Sequence, residues 1–223
     1  KMEIGVLITV YNEGPRIDKV LKKLSKYRVI VVNDGSIDDT LSKVKKYKNV
    51  ELISYTKNKG KGYALQRGFA RARKLKFDTL ILMDGDGQHN PADIPKFVKK
   101  IKDGFNVVLG SRFIKRTKIP FFRRIILRCG CLIEKLVIGI DLTDVHNGYR
   151  AINKNALNKI KLTENRMAYA SELMMEIIKH DLSYSEIPIK VKYTPEIMEQ
   201  GTSSIFTGFK ILFRIALLKI RRF

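Results

Sequence analysis

Acidic residues are scarce: 22 aspartates and glutamates stand against 44 lysines and arginines, a formal charge of +22 in 223 residues. Such a chain attracts polyanions, anionic lipid headgroups or phosphorylated small molecules. The lysines are spread along the whole sequence instead of gathered in one arm or helix, so nucleic acid is not the expected partner. Cys129 and Cys131 are too few for a disulfide framework and badly placed to bridge each other, which reads as reduced helix residues. Neither His89 nor His146 has a second histidine at metal-ligand spacing, and both read as hydrogen-bonded loop residues. No apolar run approaches the roughly 20 residues that span a bilayer, and no secretory signal precedes the first strand. The protein is therefore expected in the cytoplasm, soluble or lying on a membrane surface. Lys1 ahead of Met2 reads as an added residue. Repeats, low-complexity linkers, P-loop spacing and a nucleotidyltransferase-type glycine- and lysine-rich signature at the first strand are all missing.

What is present is 44% hydrophobic residues, enough for one sizeable core and a single domain over 1–223. Ile4 to Val10 is a β-branched run of strand length, followed by the loop Tyr11-Asn12-Glu13-Gly14-Pro15. Ile17, Val20, Leu21 and Leu24 then recur at helical spacing. Tyr27 to Val32 is a second strand ending in Asn33-Asp34-Gly35-Ser36, with Asp38-Asp39-Thr40 available to cap the next helix. Val50 to Ser54 is a third. Lys57-Asn58-Lys59-Gly60-Lys61-Gly62 turns into a helix bearing Ala64, Leu65, Phe69 and Ala72; this basic turn could embrace a phosphate, but the plain-turn reading is preferred. Thr79 to Met83 is a buried strand before Asp84-Gly85-Asp86-Gly87-Gln88-His89. A helix follows from about Pro91, and Asn106 to Gly110 is a fifth strand ending in Ser111-Arg112.

This alternation predicts an α/β fold with a mainly parallel sheet covered on both faces, whose carboxyl-end loops share one crevice. Asp84 and Asp86 repel each other there, and a divalent cation with an anionic ligand relieves the repulsion. Mg2+ or Mn2+ needs only one or two carboxylates beside water and substrate phosphate. The bland alternative is that the aspartates cap the helix near Pro91, that Glu13 is a helix-start carboxylate, and that Arg112 and Arg150 form structural ion pairs.

Beyond Arg112 the alternation stops. Pro120 to Ile140 mixes apolar residues with Arg123, Arg124 and Arg128 and suits a helix lying in a membrane interface or against a partner. A short helix is expected near Lys154–Lys159 and a longer one near Glu172–His180. Ser185 to Val191 reads as a late strand, with Pro188 favouring a sheet edge. Gly208 to Phe223 is a second basic amphipathic stretch.

Four segments in order, Val10-Tyr11-Asn12-Glu13, Asn33-Asp34-Gly35-Ser36, Asp84-Gly85-Asp86-Gly87-Gln88-His89 and Gly110-Ser111-Arg112, give the chain a likeness over roughly residues 4 to 204. It resembles the family 2 glycosyltransferases of the GT-A fold, within them the dolichyl-phosphate mannose synthase-like, polyprenyl-phosphate branch. The resemblance implies a metal-dependent, inverting transfer of a sugar from a nucleoside-diphosphate sugar. It divides the chain into a nucleotide-sugar half (1–112), an acceptor half (113–204) and a basic amphipathic tail (205–223). Thr9, Tyr11, Glu13, Val32 and Asp34 would bind the nucleotide sugar, with Asp84 and Gly85 near ribose and diphosphate. Asp84, Asp86 and Gln88 would hold the metal, and Arg112 would face a phosphate or the sugar, making Asp86 and Arg112 the catalytic pair. Thr9 stands where the family commonly has proline.

On the acceptor side the resemblance implies Arg123, Arg124, Asp144, His146, Arg150 within Asn147-Gly148-Tyr149-Arg150-Ala151, and Ser204. A polyprenyl phosphate acceptor is already anionic near neutral pH and needs no strong base; a glycan hydroxyl would need one, with Asp144 or His146 as candidates. The two basic amphipathic stretches favour the lipid phosphate and a peripheral position on the cytoplasmic face of a membrane. Residues 193–204 are acidic where mannose synthases tend to be basic. The competing reading is a non-catalytic basic module that binds nucleic acid or membrane.

Overall fold

Alternate residues along the central strands face opposite ways, and here both sets are apolar, so the sheet must be covered on both sides. The computed structural model describes residues 2–115, 119 and 121–191, the side chains of Phe122 and Arg123 excepted. It contains strands β1 (Ile4–Val10), β2 (Arg28–Asp34), β3 (Val50–Tyr55), β4 (Thr79–Asp84), β5 (Val107–Ser111), β6 (Arg150–Asn153) and β7 (Tyr184–Pro188) in one sheet of order β3-β2-β1-β4-β6-β5-β7. Pairings β1–β2, β1–β4, β2–β3 and β5–β7 are parallel; β6 runs antiparallel to both neighbours.

Helices α1 (Gly14–Lys22), α2 (Thr40–Val44), α3 (Lys61–Lys74), α4 (Ile94–Lys102), α5 (Phe121–Ile138), α6 (Lys154–Lys159) and α7 (Tyr169–Lys179) complete the described chain, with a short 3-10 turn at Pro91–Asp93. Leu7, Ile30, Val32, Leu80 and Leu82 meet Phe69 of α3 and Leu173 and Met174 of α7 on one face. Val6, Ile8, Val29, Val31, Ile81 and Met83 meet Ile17 and Leu21 of α1 and Phe97 of α4 on the other. Each such fully buried large side chain contributes about 1.5–3 kcal/mol of transfer free energy.

The expected five-strand alternation is present, and β7 does occupy a sheet edge. One strand has no counterpart in the sequence reading: β6, which separates β4 from β5. Its four residues begin with a buried arginine, so neither an apolar run nor alternation marks it. Residues 193–204, Ser204 among them, and the amphipathic stretch at 208–223 lie outside the described residues.

Candidate active site

The chain runs from β1 to β2 and β3 on one side, then returns to place β4 on the other side of β1. Strand order thus reverses between β1 and β4, where Thr9 stands opposite Asp84, and a crevice opens at the carboxyl ends of such strands. A cleft of about 200 Å³ lies there, lined by Thr9, Val10, Tyr11, Glu13, Asp34, Lys61, Asp84, Gly85 and Asp86.

Each wall is fixed by bonds from its own loop. The loop after β1 is tied to the loop after β2: Asn12 N donates to Ser36 Oγ at 2.9 Å, Glu13 N to Thr40 Oγ1 at 2.8 Å and Gly14 N to Asp38 Oδ2 at 3.0 Å. Glu13 occupies the cap position of α1, but its side chain makes no cap bond; it accepts instead from Arg16 Nε at 2.7 Å. Burial raises the Glu13 carboxyl above the usual carboxylate range against the pull of Arg16, with Asp86 and Asp84 adding to the rise. Asp34 accepts the backbone N–H groups of Lys59 and Gly60 at 2.8 and 2.9 Å. The close approach of these loops requires glycine at 35, where φ is +72° and a Cβ would lie 2.6 Å from Asn58 N.

Lys61 was not expected in the site. The Gly60-Lys61-Gly62 turn is pressed onto residues 164–166: a Cβ on Gly62 would lie 2.0 Å from Glu164 O, and Tyr63 N donates to Asn165 O at 3.0 Å. That seating aims the Lys61 ammonium at Asp84 Oδ1, with which it forms an ion pair. Burial opposes ionisation of Asp84, but Lys61, with His89 and Arg150 adding to its pull, lowers the carboxyl to about 2. The signal in the sequence was the basic glycine-rich turn at the start of a helix, set aside because it lacks P-loop spacing.

The rest of the Asp84 loop hangs on buried aromatic residues. Asp84 N donates to His89 Nδ1 at 3.2 Å, and the His89 ring stacks on Tyr149, 4.8 Å between centroids and 20° between planes. Tyr149 donates its hydroxyl to Asn90 O at 3.0 Å. Gly148 abuts Asp84 itself: a Cβ there would lie 2.6 Å from Oδ2. The aspartates do not cap the turn at Pro91, since Asn90 Oδ1 accepts from Ala92 N at 3.2 Å in that role.

Asp86 accepts from Gln88 twice, from its N–H at 2.9 Å and from its side-chain amide at 2.6 Å. Burial, and after it the neighbouring Asp84, raise its carboxyl against the Gln88 N–H, His89 and Lys61. Among the described residues no cluster of three or more histidine, cysteine or acidic side chains could hold a metal unaided. The donor set does fit Mg2+ or Mn2+, which take one or two carboxylates and fill the remaining positions with water and substrate phosphate.

Several expected positions lie elsewhere. Val32 is wholly buried in the apolar layer beneath α3 and has no face toward the cleft. Gln88 stays beside the site, its side-chain amide donating to Asp86 Oδ2. Arg112 points at Asp144, both side chains buried, with Nε and Nη2 each 2.6 Å from the carboxylate. Arg150 is buried and donates to the carbonyls of Asn147 and Val145 at 2.9 and 2.8 Å, bracing the loop before β6. His146 lies against Gly130 of α5, where a Cβ would come 2.8 Å from the ring. Arg124 is exposed on α5, whereas the Arg123 side chain and Ser204 lie outside the described residues.

The solved structures with this fold include glucosyl-3-phosphoglycerate synthase from Mycobacterium tuberculosis in complex with Mn2+, UDP and phosphoglyceric acid. It superposes with a TM-score of 0.72 at 17% identity, over 96% of this chain and 78% of that one. An uncharacterized protein of Methanocaldococcus jannaschii is 37% identical over 99% of this chain and 93% of its own length. A UDP-N-acetylglucosamine–dolichyl-phosphate N-acetylglucosaminyltransferase of Methanococcus voltae is 32% identical over 97% of this chain and 96% of its own. Residues 5–161 match the family described as Glycosyl transferase family 2. With that match spanning β1 to α6 and carrying every loop of the cleft, the chain belongs to glycosyl transferase family 2.

Proposed function

We propose that this glycosyltransferase moves a sugar, with inversion, from a nucleoside-diphosphate sugar to a polyprenyl phosphate at the cytoplasmic face of a membrane. The observation that carries the reading is the convergence of Glu13, Asp34, Asp84, Asp86 and Lys61 on one cleft at the β1/β4 reversal. Asp34 and Glu13 form the end suited to ribose hydroxyls and base N–H groups. Asp84 and Asp86 would hold Mg2+ or Mn2+ against the diphosphate. When bound, the metal supplies Lewis-acid neutralisation of the charge that grows on the departing diphosphate.

The state of Asp144 favours the phosphate acceptor. A hydroxyl acceptor needs a base, but both Asp144 oxygens are taken by Arg112 and the carboxylate is wholly buried. A phosphate acceptor has no such need. The Methanococcus voltae relative is named for a dolichyl phosphate acceptor, which supports the same choice. So does α5, where Phe121, Ile126, Leu132 and Leu136 are exposed beside Arg124, Arg128 and Lys135, a composition suited to an interface helix. No helix among the described residues is long and apolar enough to cross a membrane.

The test is thermal unfolding of the full chain with UDP and GDP, with and without Mn2+. A metal-dependent rise in Tm with one nucleotide, absent in Asp86→Ala, is expected. A basic binding module would show no shift with either.

A further inference from the structure

We propose that Lys61 is an exchanging counter-charge: it neutralises Asp84 while the cleft lacks metal and nucleotide, and transfers to the diphosphate when a divalent cation takes Asp84. The inference rests on the function proposed above and assigns a residue to it.

Four carboxylates line the cleft, and among the described residues lining it Lys61 is the cation. Three of those carboxylates have partners of their own. Glu13 accepts from Arg16 one helical turn away, Asp34 from two backbone N–H groups, and Asp86 from Gln88 two residues on. Asp84 differs, because its ion-pair partner is the end of a flexible four-carbon stem. Such an ammonium can move several ångströms without disturbing the backbone that carries it.

That backbone is held in place. Glu172 of α7 accepts from Thr163 N and Glu164 N, both at 2.9 Å, and so fixes the segment on which Gly60 and Gly62 rest. Lys61 is also the first residue of the 14-residue helix α3, which has no acidic residue in its first turn. The helix therefore directs its positive end and the Lys61 stem to the same cleft, an arrangement suited to an anion.

The exchange follows from charge. A divalent cation bound to Asp84 repels the ammonium already there, and the diphosphate arriving with it offers that ammonium new oxygens. As the sugar departs, negative charge grows on the leaving diphosphate, and Lys61 is then worth more to it than in the ground state.

Two equilibria read the exchange in opposite directions. For Lys61→Gln, binding of Mn2+ alone, followed by the paramagnetic relaxation of water protons, should tighten about tenfold, since Asp84 has lost its internal competitor. Binding of UDP or GDP at saturating Mn2+, whichever stabilises the wild type, should weaken about tenfold. Lys61→Arg should do the reverse for Mn2+: its planar fork grips a carboxylate at two points, so Mn2+ alone binds several-fold more weakly while the nucleotide is retained. Should Lys61→Gln fail to fold, the arginine variant decides alone.

Mn2+ affinity that is unchanged or weaker in Lys61→Gln, or unchanged or tighter in Lys61→Arg, would overturn the exchange. Wild-type protein that binds neither nucleotide with Mn2+ would instead sink the parent reading.

Discussion

Arg112 grips Asp144 through two parallel bonds of 2.6 Å, from Nε to Oδ2 and from Nη2 to Oδ1, and adds its own backbone N–H at 3.0 Å. The pair joins the end of β5 to the loop before β6 and is buried. Breaking a buried ion pair by removing one partner's charge costs about 3–5 kcal/mol. Asp144→Asn is therefore expected to lose stability on that scale in urea unfolding, with any residual turnover keeping the wild-type pH profile. A fully stable variant whose turnover loses its acid limb would restore Asp144 as a base.

Gly148 tests the placement of Asp84. A methyl group at this position would lie 2.6 Å from Asp84 Oδ2, so the carboxylate must turn away. Gly148→Ala is expected to weaken metal-dependent nucleotide binding about tenfold, at a stability cost of about 1–3 kcal/mol. Calorimetric titration with Mn2+ and the stabilising nucleotide measures the first effect, and unchanged affinity would remove Asp84 from the site.

Glu172 supports the Lys61 turn at one remove. Its carboxylate accepts from Thr163 N at 2.9 Å, Thr163 Oγ1 at 2.6 Å and Glu164 N at 2.9 Å. Glu172→Ala leaves these donors without it and should cost about 3 kcal/mol. The loosened segment should also speed hydrogen exchange at the Tyr63 amide, which donates to Asn165 O. Protection at Tyr63 equal to wild type would show that the segment stands without Glu172.

His146 contributes to stability with a defined pH sign. Burial lowers its pKa below 6.5, helped by Arg150 and Arg112 and opposed by Asp144. The unfolded chain therefore binds this proton first, so the contribution of the neutral ring is fully present above about pH 6.5 and is lost as the pH falls below it. Urea unfolding at pH 7.5 and 5.5 should show a smaller acid loss in His146→Gln than in wild type. An equal loss would assign the acid sensitivity to other groups.

Most of the sheet could be read from sequence because β1, β2 and β4 are continuous apolar runs ending at polar loops. Asp34, Asp84 and Asp86 were legible for the same reason: each closes or follows such a run. β6 was not, since its identity depends on the neighbours it pairs with and its first residue is a buried arginine. Lys61 was set aside for want of P-loop spacing; the glycines around it serve instead contacts with residues 164–166, about a hundred positions away, that no local spacing encodes. For Arg112 a structural ion pair was the alternative to a phosphate or sugar contact, but its partner Asp144 lies 32 positions away and only the fold identifies it. Val32 shows that the strand face toward the helices and the strand end toward the cleft are different directions: it lies wholly in the apolar layer.

The central claim is most directly tested by the transfer itself. Purified full-length protein is incubated with Mn2+, polyprenyl phosphate in anionic vesicles, and in turn UDP-N-acetylglucosamine, UDP-glucose or GDP-mannose, each labelled in the sugar. Label should pass from one of these donors into the solvent-extractable lipid, and it should stay in the aqueous phase with EDTA or with Asp86→Ala. Wild-type protein that binds a nucleotide with Mn2+ yet labels no lipid from any donor would contradict the account.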